Sequence, residues 1–71
     1  MDLLNLSVQY RNSGEKIRVR VRQLQEEVNK PMSETERLAL RRRIVILSSM
    51  ARETIATSNY LQHYYEEEHK Q

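Results

Sequence analysis

Three groups of residues in this chain have types and spacings that bear on chemistry. His63, Glu66 and His69 stand three apart, and Glu66 to His69 reproduces the Glu-x-x-His step with which helices of di-iron bundles offer a carboxylate and an imidazole to one metal. Such a site needs further carboxylates on facing helices. This trio lies in a polar stretch beside Glu67 and Glu68, so it reads as two solvent-facing histidines, and no metal or other cofactor is expected.

The second group is basic. Arg18, Arg20 and Arg22 fall in the first half of the chain, and Arg37, Arg41, Arg42 and Arg43 in the second. A guanidinium offers phosphate a planar fork of donors, and a cluster of them draws polyanions, so Arg18, Arg20, Arg22, Arg41, Arg42 and Arg43 would be the nucleic-acid contacts if there were any. No recognition-helix motif or set of stacking aromatics accompanies the charge. A solvated face, with these arginines paired to Glu26, Glu27, Glu34 and Glu36 at helical spacings, is the preferred reading.

The third group is Tyr60, Leu61, Tyr64 and Tyr65, an apolar cluster with hydroxyls of the kind enriched where proteins meet. Catalysis finds no comparable set. Cysteine is absent, no glycine-rich phosphate loop occurs, and no serine, histidine and carboxylate come together around a pocket. Ser48 and Ser49 read as small residues on a packed helix rather than as nucleophiles. The expectation is a protein that is not an enzyme.

The elements that must position these groups are set by one strong break, Asn29-Lys30-Pro31-Met32-Ser33, where proline drives the residue before it out of helical geometry. After the break, Ser33-Glu34-Thr35-Glu36 has the form of a capping box, and Glu34 and Glu36 suit the positive end of a helix dipole. A second helix is expected over about 34–68, because no proline or glycine interrupts it. Its residues Leu40, Ile44, Leu47, Ala51, Thr54, Ser58, Leu61 and Tyr65 step by four and three, as one seam of a coiled coil does. Ile46, Met50, Tyr60 and Tyr64 widen that apolar surface to one side, which suits more than one partner helix.

The first half presents a conflict. Ile17-Arg18-Val19-Arg20-Val21-Arg22 alternates with the period of a strand, whereas Leu6, Tyr10, Ser13, Ile17, Val21, Leu24 and Val28 follow an 11-residue helical repeat. The helical pattern runs further and a strand would have no mate, so a helix over about 2–29 is preferred, with Ser13-Gly14 as the place where it could kink or break. The loop is then 30–33. Antiparallel packing about it sets side by side residues whose numbers sum to about 63. The longer second helix should overhang, leaving Tyr64 and Tyr65 uncovered by the first.

At 71 residues the chain makes one domain at most, with both charge signs mixed and a net charge of only +2. So small a domain recovers roughly 60% of its unfolded surface, and without disulfides self-association is the cheap route to extra stability. The longest apolar run, Ile44 to Leu47, falls far short of the ~20 residues of a membrane span, and Met1-Asp2-Leu3-Leu4 lacks the marks of a secretory signal. A cytoplasmic protein without membrane contact is expected.

Leu40-Arg41-Arg42-Arg43-Ile44, Arg52-Glu53-Thr54 and Tyr60-Leu61-Gln62-His63-Tyr64-Tyr65 resemble short helical proteins encoded on conjugative elements and prophages of clostridia and related bacteria. The resemblance covers mainly the second helix. It implies a bacterial, cytoplasmic protein from mobile DNA and supplies no functional residues.

The reading as a whole is an all-α, antiparallel two-helix hairpin spanning 1–71. It should dimerise or assemble further into a four-helix arrangement through Leu40, Ile44, Leu47, Ala51, Ser58, Tyr60, Leu61, Tyr64 and Tyr65. Its work would be protein binding, with nucleic-acid binding as the alternative.

Overall fold

The computed structural model describes residues 2–69, the side chain of His69 excepted. Two helices, α1 over Leu3–Glu27 and α2 over Glu34–His69, pack as an antiparallel hairpin. The 36 residues of α2 at 1.5 Å rise make a rod of about 54 Å, which accounts for nearly all of the molecule's 58 Å long axis. Among the described residues no helix is long and apolar enough to cross a membrane.

Local chemistry sets the helix ends. Asp2, in extended geometry, caps α1: its Oδ1 accepts the Asn5 amide at 2.7 Å, satisfying one of the four amides a helix start leaves open. Ser33 does the same for α2, its hydroxyl accepting the Glu36 amide at 3.2 Å, with Glu34 and Glu36 in the first turn. The far end of α1 lies two residues before the expected 29. There the Asn29 and Lys30 amides donate to the Glu26 and Glu27 carbonyls in tightened i to i−3 bonds, because Pro31 bars Lys30 from continuing the helix. Arg37, on the first turns of α2, donates from its guanidinium to the Val28 carbonyl at the end of α1 and lies 3.9 Å from Glu34. A cation is thereby held at the negative pole of α1.

No strand forms over 17–22. Ile17 and Val21 turn toward α2 while Val19 lies 44% exposed, as a helical repeat requires of residues two apart. Nor does Ser13-Gly14 break α1, which is continuous through both. The expected seam holds over its second half, where Ile17, Val21, Leu24 and Val28 are buried or half-buried, and is displaced over its first half, where Tyr10 is exposed. Ser7, Gly14 and Val21, seven apart, are buried together with Leu24, whereas Ser13 is exposed and Leu6 only half-buried. The contact thus follows the small residues, because they allow the helices closest together.

Gly14 shows how close. A Cβ there would stand 2.5 Å from Ile55 Cγ1, 3.1 Å from its Cδ1 and 3.5 Å from the Ala51 carbonyl oxygen. One turn pair further on, the buried Ser58 hydroxyl donates to the Ser7 carbonyl at 2.6 Å, and Ser7 donates to its own Leu4 carbonyl at 2.8 Å. Both hydroxyls of this polar contact are satisfied, which is what their burial demands. Ser7 meeting Ser58, and Gly14 meeting Ala51, place α2 two residues further along than equal spacing about the loop predicts. The large core is correspondingly thin, with Val21, Leu24 and Ala51 its buried apolar members.

Candidate interaction surface

The expected contact residues on α2 separate into two sets. Leu40, Ile44, Leu47 and Leu61 are half-buried, and Ala51 and Ser58 are 3% and 0% exposed, all on the seam that α1 covers, while Tyr65, expected to be uncovered, is half-buried as well. For Ala51 and Ser58 the expectation of a contact with another chain is corrected: their side chains are spent inside the hairpin, where small size lets α1 approach. Tyr60 and Tyr64 belong to the other set, 65% and 49% exposed, with ring centroids 6.3 Å apart.

That second set continues along the rod. Ile46 and Met50 are 60% and 45% exposed, and four-residue steps put them on one face of α2 as they put Tyr60 and Tyr64. Leu38 and Val45, seven apart, are also largely exposed and form with Ile46 a shallow groove edged by Arg41 and Arg42. A helix that is apolar on two faces has buried only one of them here. Leu38 and Val45 are not among the expected contact residues, although their heptad spacing on a helix already paired through Leu40 and Ile44 signals a second apolar edge.

The arginines border more than one groove. Arg18 and Arg22, four apart, line one groove with Arg52 of α2 over Val21, Ser48 and Ala51. Arg42 and Arg43 border a different groove with Leu40 and Leu47. Arg20, two residues from both Arg18 and Arg22, points elsewhere and donates to Gln23 at 3.3 Å. Pairing with acids follows the expectation only in part: Glu34 pairs with Arg37 as expected, whereas Arg18 pairs with Glu15 at 3.1 Å and Glu27 with Lys30 at 3.4 Å. Among the described residues Arg22, Arg41, Arg42, Arg43 and Arg52 have no ion pair. Arg52 is missing from the basic group read from the sequence because only the helix register brings it beside Arg18 and Arg22. Arg11 is missing too, and it spans the hairpin to Asn59 at 3.2 Å and Gln62 at 2.9 Å.

At the overhanging end, His63 pairs with Glu67 at 3.8 Å, while Glu66 accepts from Gln62 at 3.4 Å, so the two members of the trio whose side chains are described turn to different neighbours. The His69 side chain lies outside the described residues. Among those described, no cluster of histidine, aspartate and glutamate has the arrangement of a metal site. No family model, curated protein or solved structure matches this chain.

Proposed function

We propose that this chain is a non-enzymatic protein-interaction module that acts as a homodimer, two hairpins combining into a four-helix arrangement through the face of α2 that α1 leaves open. The observation that carries the reading is the run of large apolar side chains on that face, Ile46, Met50, Tyr60 and Tyr64, each about half exposed or more.

Surface area supports it. A compact monomer of 8.5 kDa exposes about 4,600 Å² by the usual scaling with mass. The hairpin exposes 5683 Å². The surplus is on the order of the 800 Å² that each partner buries in a standard stable interface. Sedimentation equilibrium tests the reading. The unmodified chain is expected to run as a dimer at micromolar concentrations, and Ile46→Glu with Met50→Glu as a monomer of unchanged helicity. A monomer at millimolar concentration would defeat it.

A second reading, binding of nucleic acid, draws on the unneutralised Arg22, Arg41, Arg42, Arg43 and Arg52. Their division between separate grooves counts against it, since a phosphate backbone is met by a continuous stripe. Titration of duplex DNA and of single-stranded RNA at two salt concentrations decides it: the dimer reading expects no binding even at low salt. Contact through four arginines would instead weaken with salt at a log-log slope of roughly −3 to −4 on duplex DNA.

A further inference from the structure

The exposed face of α2 is complementary to itself when reversed, and we infer that α2 pairs antiparallel with α2 of a second copy in one register, Ile46 against Tyr64 and Met50 against Tyr60. This rests on the self-association proposed above and names its geometry. From Arg43 to Glu67 the positions of that face follow one another in steps of three and four that read the same from either end, which is the condition for two antiparallel helices to meet layer by layer.

The chemistry follows the spacing. Reversal about the midpoint between Glu53 and Thr57 sets Ile46 against Tyr64 and Met50 against Tyr60, an exposed side chain without a ring against an exposed aromatic one in each case. It also brings Arg43, without an ion pair among the described residues, against Glu67 of the other copy. Glu67 is 61% exposed and holds His63 at 3.8 Å, leaving its carboxylate accessible to a second cation. In the middle, Glu53 meets Thr57, a polar layer of the kind that fixes orientation at some cost in affinity. Burial inside the hairpin does not obstruct this pairing, because Ile46, Met50, Tyr60 and Tyr64 are exposed with α1 in place.

The alternatives lose these matches. Parallel pairing would set Arg43 on Arg43, Glu53 on Glu53 and Glu67 on Glu67, three like-charged layers that repel. Sliding the antiparallel pair by one heptad would place Ile46 on Thr57, Met50 on Glu53 and Arg43 on Tyr60, so both apolar layers and the ion pair would be lost together. A second copy therefore fits this face better in the stated register than in its neighbours.

Because the chain has no cysteine, introduced thiols report the register directly. Ile46→Cys with Tyr64→Cys should oxidise to a disulfide-linked dimer, since the facing positions come within bridging reach, while Ile46→Cys with Thr57→Cys should remain unlinked under the same conditions. Arg43→Glu should weaken the dimer roughly tenfold, and adding Glu67→Arg should restore it, since the exchanged pair keeps opposite charges together. Linkage through the 46 and 57 thiols, or no rescue by the charge exchange, in a chain that sediments as a dimer overturns the register and leaves self-association standing. A chain that stays monomeric overturns both.

Discussion

Gly14 is the residue on which the close packing of the hairpin turns. Ordinarily an alanine in the middle of a helix is preferred to glycine by about 1 kcal/mol. Here the added methyl would meet Ile55 Cγ1 at 2.5 Å, and a β-branched side chain on a helix has one strongly preferred rotamer, so it cannot swing clear at little cost. Overpacking of this kind costs about 1–3 kcal/mol, which outweighs the gain in propensity. Gly14→Ala is therefore expected to lower the thermal midpoint, and the double variant with Ile55→Ala to show a favourable coupling of 0.5 kcal/mol or more in the double-mutant cycle, roughly the smallest that stands out from simple additivity. Additive losses in denaturant titrations would mean that the contact is not the cause.

Among the described residues, the hydroxyl of Ser58 is the fully buried side-chain donor that crosses between the helices, at 2.6 Å from the Ser7 carbonyl. That carbonyl belongs to a helix interior and keeps its own backbone acceptor role, so removal of the hydroxyl does not orphan it. Ser58→Ala is expected to cost only about 1 kcal/mol in denaturant titrations, the usual net value of one hydrogen bond. Ser58→Leu should cost more, because the position is 0% exposed and has no room for the larger side chain.

At the scale of the element, each helix is begun by a capping side chain, and the turn is closed by Arg37. The guanidinium contacts the Val28 carbonyl where the dipole of α1 ends, with only a quarter of the side chain exposed. Removing it leaves that carbonyl without this donor, close to the loop. Arg37→Ala should destabilise the hairpin by about 1–3 kcal/mol, more than Ser33→Ala at about 1 kcal/mol, because the bond comes from a charged group that the protein partly shields. Circular dichroism melts on the two variants compare them, and an equal or smaller effect at Arg37 would refute the ranking.

For the whole molecule, the governing feature is a long rod with two apolar faces and a shorter mate that covers one. If the open face is covered by a second copy, folding and association are linked, and the thermal midpoint must depend on concentration. Dilution from about 1 mM to about 10 µM should lower it by several degrees. The Ile46→Glu and Met50→Glu variant should melt at one temperature throughout that range. A concentration-independent midpoint for the unmodified chain would argue for an independently stable hairpin.

Much of this was legible before any coordinates. Helix formation and termination depend on neighbours within a turn or two, so Pro31, Ser33 and the steps from Leu40 to Tyr65 were enough to place both helices and the covered seam of α2, within two residues at the end of α1. Apolar counting also found Ile46, Met50, Tyr60 and Tyr64 beside that seam. It misplaced the first half of the α1 seam for a physical reason: hydrophobic periodicity rewards large side chains, whereas Ser7 and Gly14 are buried because they are small. Contacts such as Gly14 with Ile55 and Ser7 with Ser58 join residues about forty to fifty positions apart. Only the packed pair of helices decided them, and with them the register that brings Arg52 beside Arg18 and Arg22. Spacing along one chain fixes which face a residue takes, while the depth to which two helices interlock depends on what each finds opposite it.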